Sequence, residues 1–346
     1  GTIADVAPLI GENRSIVKRA LRKMRSCWYK REGVKALYDG PLDRITAENI
    51  AFKIAPCINA SGRLDVRGAD LPLLLLLEDR PEIAEFLAER LTDCNNRRKS
   101  IQKEWCGRME ETALKMIEQG DKVLVLLADG APSGVVGLVA GNLKEKYNRP
   151  TIVFAPKQDS SGKTVWTGSG RSIKGFHLLN ALKTCEDFFL AYGGHELAAG
   201  MSIPENEEVL SQLRTRLNQV AEYLSETDLM PMTYWDTEIT EAELTNSLYE
   251  ELKSLEPVGE GVKKPVFKMR MHLLPKRHML MGADKSHLKL FCENYSAVGF
   301  SLADKYIRSE LPEVIDALGY PCENYFNGKV KQEFMLVDFE PVTENE

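Results

Sequence analysis

The longest apolar run, Leu71 to Leu77, is interrupted by Pro72 and is far shorter than the ~20 residues a bilayer-spanning helix requires. No basic segment followed by an apolar stretch stands at the start, so no secretory leader is read there. The first residue is Gly1 rather than Met, and the expectation is a fragment or a processed piece. The 7 cysteines are scattered and form no C-x-x-C pair, which argues against a disulfide framework or zinc ribbon and makes a reducing cytoplasm the default. There are only 5 histidines, and no D-x-D, H-x-H, H-E-x-x-H or Asp-His-His cluster. Hard ions such as Mg²⁺ or Mn²⁺ need several convergent carboxylates, so a complete two-metal centre is not expected in this chain. A Walker A spacing is absent as well.

What is present is the composition of an ordinary globular protein, 43% apolar and 28% charged over 346 residues, enough for about two domains. The net charge of −6 conceals an asymmetry. Residues 1 to 119 carry 21 Lys and Arg against 18 Asp and Glu, and the first 31 residues carry 8 against 2. Residues 203 to 262 carry 14 acidic and 3 basic residues, so that stretch is read as a solvated linker and helix rather than a phosphate-binding face.

Periodicity orders the rest. Ile16, Val17, Ala20, Leu21 and Met24 lie at helical spacing behind Asn13, with Arg14, Lys18, Arg22 and Arg25 on other faces. A second pattern opens at Pro81 and runs to about Ile117, a long connecting helix. KVLVLLADG, SGVVGLVAGNLKEKY and TIVFAP then read as strand, helix and strand, a βαβ unit in a parallel or mixed sheet. Helices are expected from Phe176 to Leu182 and from about Glu205 to Tyr223. Beyond Thr233 the short segments VFKMRMHLL, HLKLFC, YSAVGFSL, ENYFNGKV and QEFMLVDFEP suggest a small Greek-key barrel of the OB type, with Asn327-Gly328 as a hairpin turn.

Three segments can carry chemistry. In GSGRS, Gly168 and Gly170 flank Ser169 and precede Arg171 at the end of a strand. Glycines allow close backbone approach to an anion, and a hydroxyl with a guanidinium suits phosphate oxygens. Alone, the segment reads as a Gly-rich turn with an exposed arginine before it reads as a site. YGGHELAAG sets His195 behind Gly193 and Gly194, where it can contact a phosphate or assist proton transfer, or be merely structural. Both segments fall in one expected domain, whose crossovers would converge Ser169, Arg171 and His195 on an anion cradle. INASGRL presents Arg63 on a tight turn, either as a clamp for a nucleic-acid backbone or as half of a surface ion pair worth under ~1 kcal/mol. Asp5, in GTIADVAPL, is a turn or cap residue without visible metal-binding partners.

In order along the chain, GTIADVAPL with GENR, INASGRL, DGAPSGVVGLVAG, GSGRS, YGGHELAAG and LEPVGEGVKKPVF resemble the RecJ single-stranded-DNA exonucleases of the DHH phosphoesterase superfamily. The likeness covers nearly the whole chain. It implies an α/β architecture: a C-terminal remnant of a DHH domain (1–79), a long connecting helix (80–119), a DHH-associated α/β domain with a mixed sheet (120–230) and a β-rich OB-fold (231–346). The family's first three metal-binding motifs lie upstream of GTIADV, so the chain resembles a RecJ truncated at its N-terminus.

By the same resemblance Asp5 is the fourth-motif metal ligand and Arg63 contacts the DNA backbone. Ser169 and Arg171, with Gly168 and Gly170, form the pocket for a 5′-phosphate, and His195, with Gly193 and Gly194, lies near the scissile phosphate. The implied parent is a 5′→3′ exonuclease that uses two Mn²⁺ or Mg²⁺ ions, releases mononucleotides from single-stranded DNA, and acts in repair and recombination. A single-strand-binding protein or a helicase is an implied partner, and a membrane is not. Phe291, Tyr295 and Phe300 are candidates for base stacking, and this chain alone is expected to cut little or nothing. The alternatives are an inactive nucleic-acid-binding scaffold and a DHH-family phosphodiesterase for very short oligonucleotides.

Overall fold

The computed structural model describes residues 1–27, 32–64, 68–326 and 329–342. The chain divides into two compact units, one of residues 24–45 and 49–231, the other of residues 1–23, 46–48 and 232–346.

The first unit is built on the long helix. Pro81–Glu118 is continuous over 38 residues, with Pro81 at its start, where a missing N–H costs nothing. It ends at Gln119-Gly120, where Gly120 takes a φ of +93°. Its N-terminal half buries Ala84, Leu87, Ala88 and Leu91 against Cys57 and Leu75, and its C-terminal half buries Trp105, Ala113 and Met116 against the sheet domain that follows.

That sheet has the order β1-β2-β3-β5-β4, with β1 Leu124–Leu127, β2 Thr151–Gln158, β3 Thr164–Arg171, β4 Ala191–Gly194 and β5 Ala198–Pro204. Strands β1 and β2 are parallel across the expected helix, Val136–Tyr147, and the other pairs are antiparallel. Alternation along the strands separates two cores. Leu124, Leu126, Val153 and Ala155 meet Val136, Val139, Ala140 and Leu143 on one face. Val125, Ile152, Phe154 and Trp166 meet Leu178, Leu182, Leu213 and Leu217 on the other, where helices Leu178–Lys183 and Glu207–Val220 pack.

INASGRL is not a turn. It lies in helix Ala55–Leu64, with Arg63 in the last turn. Asn, Ser and Gly favour turns in isolation, but Ile54, Cys57, Ala60 and Ser61 are buried at spacings of three and four, a helical stripe whose packing overrides local preference. Ser61 also donates its hydroxyl to the Gly68 carbonyl.

The second unit holds a seven-stranded mixed sheet of order β6-β7-β11-β12-β10-β9-β8. The strands are β6 Thr237–Glu238, β7 Phe267–His272, β8 His278–Met281, β9 His287–Phe291, β10 Ser296–Gly299, β11 Val314–Phe326 and β12 Lys329–Pro341. Met269, Met271, Leu288, Leu290, Ala297, Ile315, Phe334 and Phe339 form its core. The last two strands pair antiparallel down to Phe326 and Lys329, and the expected turn at Asn327-Gly328 lies outside the described residues. The acidic stretch holds the helix expected of it, Asn246–Ser254, and packs it through buried Tyr249.

Candidate nucleic-acid interface

Ser169 and Arg171 stand two apart on β3 and so point to one face, toward the first turn of helix Val136–Tyr147. A methyl group at Gly137 would lie 2.8 Å from Ser169 Oγ and 3.2 Å from Arg171 Nη2, so only glycine lets the helix come this close. Arg171 Nη1 donates to Ser169 Oγ (3.1 Å) and to the Gly170 carbonyl (2.7 Å). The amides of Val136 and Gly137 donate to no group among the described residues; they are the orphan donors of a helix start, with the positive end of its dipole behind them.

Arg63 enters from its own helix and donates from Nη1 to the Gly134 carbonyl (3.3 Å). A methyl at Gly134 would come within 2.2 Å of the Arg63 carbonyl oxygen, so the loop before the helix is pressed onto the arginine's backbone. A third guanidinium, Arg98 of the long helix, donates to Asn95 Oδ1 (2.5 Å) and Gln102 Oε1 (2.7 Å), and buried Asn95 donates to Cys57 Sγ (3.4 Å). Burial, then the charge of Arg63, holds both Arg171 and Arg98 below the ordinary arginine value. Among the described residues none of the three forms an ion pair with a carboxylate. Three half-buried like charges with no carboxylate partner among the described residues repel one another, and an anion would relieve both that repulsion and the missing hydrogen bonds.

The glycines of GSGRS do something other than expected. Gly168 and Gly170 face away from Ser169 and Arg171, into the core, where a methyl would meet the Phe154 ring at 2.6 Å and Leu178 Cδ2 at 2.7 Å. They permit tight packing behind the site and are not its wall. Both Gly-rich segments belong to strands rather than loops.

His195 lies in the connection from β4 to β5, exposed, its amide donating to the Ala198 carbonyl (2.8 Å). Arg171 pairs with Ala198 on β5, and Gly194 with Ala199. His195 and Arg171 therefore occupy the same end of the sheet, two strands or about 9–10 Å apart. Gly194 takes a φ of +151° and would clash with the Ala198 carbonyl if it carried a side chain, whereas Gly193 stands in open space.

Asp5 belongs to the other compact unit, in an exposed turn closed by its amide on the Gly1 carbonyl (3.0 Å). Among the described residues no group of three or more His, Cys, Asp or Glu side chains is placed to hold a metal ion. One exposed carboxylate does not make a site for a hard divalent ion, so no chemical step through a metal is assigned to these residues.

The stacking candidates separate by environment. Tyr295 is bound to Glu241 Oε1 through its hydroxyl (3.0 Å) and packs on the barrel core. Phe291 is half-buried between Arg277 and Lys289, with cations 5.7 and 5.9 Å from the ring. Phe300 is 59% exposed and meets His287 edge-on at 5.1 Å.

Sequence reasoning missed Gly137 and Arg98. An isolated glycine inside a helical pattern was the visible signal for the first; nothing in the NNRR run distinguishes Arg98 from its neighbours until the helix is packed.

Comparison with known proteins defines the class. Residues 120–223 match the DHHA1 domain model and residues 235–338 the RecJ OB domain model. Aligned over 98% of its length, the chain is 32% identical to the single-stranded-DNA-specific exonuclease RecJ of Bacillus subtilis; over 85% it is 34% identical to that of Dickeya dadantii. The crystal structure of Thermus thermophilus RecJ in complex with Mn²⁺ superposes with a TM-score of 0.76 at 30% identity, covering 99% of this chain and 48% of that one. The chain is a homologue of the RecJ exonucleases that carries their DHHA1 and OB domains, and it spans about half the length of the curated relatives it matches. No helix among the described residues is long and apolar enough to cross a membrane.

Proposed function

We propose that these residues form the strand-binding part of a RecJ-type 5′→3′ exonuclease, which hydrolyses single-stranded DNA to 5′-mononucleotides in repair and recombination. The observation that carries the reading is the site at Ser169, Arg171, Arg63 and Arg98: two helix-start amides, a hydroxyl and three guanidiniums, with no carboxylate partner and no acceptor for those amides among the described residues. A terminal phosphate monoester, with close to two negative charges and three acceptor oxygens, satisfies those donors better than a diester does. Arg171 and Ser169 take the terminal phosphate, the amides of Val136 and Gly137 add donors from the helix start, and Arg63 with Arg98 neutralises the phosphate that follows.

Anchoring one end fixes which bond is presented for cleavage, so the pocket sets both polarity and product length. His195 stands at the same sheet end, where it can donate a hydrogen bond to an inner phosphate. The divalent-ion chemistry expected of the parent lies outside what the described residues supply.

The test compares 5′-phosphorylated and 5′-hydroxyl oligothymidylate by fluorescence anisotropy at fixed salt. The unaltered chain binds the phosphorylated end more tightly, and Arg171→Ala removes roughly tenfold or more of that preference, the range for a lost charge-assisted hydrogen bond. Equal binding of the two ends by the unaltered chain would overturn the reading.

A further inference from the structure

Helix Pro81–Glu118 holds its cations in two ways. Toward its C-terminal end carboxylates one turn away pair with them: Glu104 meets Arg108 and Glu111 meets Lys115, each at 2.6 Å and at spacing i, i+4, an arrangement that stabilises a helix. Around Arg98 the equivalent positions carry amides. Arg98 Nη1 donates to Gln102 Oε1 (2.7 Å), and Nη2 donates to Asn95 Oδ1 (2.5 Å). Cys94 and Ile101 fill the other two positions at that spacing. No neighbour of Arg98 one turn along its own helix is an acid.

The amides are themselves fixed. Asn95 is only 4% exposed and donates from Nδ2 to Cys57 Sγ (3.4 Å) on helix Ala55–Leu64, which also carries Arg63. With its NH₂ turned to the sulfur, its carbonyl oxygen is left for Arg98. Gln102 then fixes the plane of the guanidinium from the other side. The remaining donors of Arg98 have no acceptor among the described residues. A carboxylate at position 102 would hold the guanidinium at least as firmly and would support the helix, but it would also cancel the charge. An amide orients without cancelling.

We infer that Asn95 and Gln102 are positioning residues that aim the Arg98 guanidinium while leaving its charge uncancelled for a phosphate of the bound strand. The inference rests on the reading of Arg98 as a phosphate contact and extends it. The choice of amide over acid sets affinity, at some loss of helix stability.

The test compares Gln102→Glu with the neutral Gln102→Met in the whole 346-residue chain, at a half-buried position that accepts either side chain. Binding of 5′-phosphorylated and 5′-hydroxyl oligothymidylate is followed by anisotropy over a salt series. Gln102→Glu keeps the contact to Arg98 and cancels its charge. Affinity for both oligonucleotides falls roughly tenfold, and the slope of log affinity against log salt becomes shallower by about 0.7, one counterion on a single strand. The thermal midpoint of this variant stays level or rises. Gln102→Met releases one arm of the guanidinium and leaves its charge, so affinity falls about threefold at the parent's slope. Ser100→Glu adds the same charge on an exposed site that does not face Arg98, and it changes affinity by less than about twofold through screened repulsion.

Parent-like affinity and slope in Gln102→Glu would overturn the inference. Equal losses at an unchanged slope in the Glu and Met variants would overturn it too, as would a tenfold loss in Ser100→Glu. If the parent prefers a 5′-phosphate and Gln102→Glu binds as the parent does, the clamp fails and the pocket stands. If the parent shows no such preference yet Gln102→Glu loses affinity and slope, the pocket assignment fails and the clamp stands. A parent that binds neither oligonucleotide overturns both.

Discussion

Cations are used in opposite ways by the α/β domain and the OB domain. In the OB domain several cations among the described residues have an acid partner: Lys289 with Glu333, Arg270 with Asp316, Lys305 with Asp338 and Glu340, Lys268 with Glu238. Near the end of β3 in the α/β domain, the partners of Arg63, Arg98 and Arg171 among the described residues are carbonyl, amide and hydroxyl groups. Paired charge serves the fold most where it is buried, as at Lys289 and Glu333, since removing either member there leaves the other without a partner. Charge with no carboxylate partner among the described residues is, on the function proposed above, available to an anion, which would relieve the mutual repulsion.

The largest effect that would test this contrast lies in the OB domain. Glu333 is almost fully buried and is held by Lys289 Nζ, Asn324 Nδ2 (3.0 Å) and Ser296 Oγ (3.1 Å). Burial alone would raise its carboxyl, but Lys289 and the other donors hold it below the ordinary value. Glu333→Ala strands the Lys289 ammonium and is expected to cost about 3–5 kcal/mol. Hydrogen exchange of the β10 and β12 amides reads that loss locally, without assuming that the whole chain unfolds together. A loss under about 1 kcal/mol would mean that the pair is solvated and would blur the distinction between the domains.

The next effect is on binding and not on stability. Gly137→Val fills the gap between the helix start and β3, displacing Ser169 Oγ and Arg171 Nη2 from their present positions. The expected result is loss of roughly tenfold of the preference for a 5′-phosphate, while exchange protection of β12 stays as it was. Retained preference would show that the anion does not sit at the helix start.

The contrast also explains what could be read from the chain before its coordinates. Elements dictated by periodicity and punctuation were legible: the helix from Pro81, the βαβ unit around Val136–Tyr147, the paired strands β11 and β12. Arg63 and Arg171 were legible as candidates because glycine-rich surroundings set them apart. Two things were not. The helix at INASGR was hidden by its turn-forming residues, since what selects helix there is the burial of Cys57 and Ala60 against distant partners such as Leu75. Arg98 was hidden because an exposed-looking arginine in a charged helix differs from a ligand-facing one only by what the packed helix faces. The strand β8 was also missed: His278–Met281 is a four-residue edge strand next to turn residues, too short to show alternation.

The smallest effect sharpens the comparison from the side of the paired charges. Arg270 and Asp316 meet across β7 and β11 with two hydrogen bonds, 2.8 and 3.1 Å, but half of the arginine side chain is in solvent. The arginine lowers the Asp316 carboxyl below its ordinary value. Water nonetheless screens the pair and stays available to either partner after the other is removed. A double-mutant cycle of Arg270→Ala and Asp316→Ala is therefore expected to give a coupling of about 0.5 kcal/mol, within the range of exposed pairs, and to shrink further at high salt. A coupling as large as the Glu333 effect would show that pairing, regardless of burial, governs the OB domain, and the bare arginines beside β3 would then be the more costly arrangement by a wider margin.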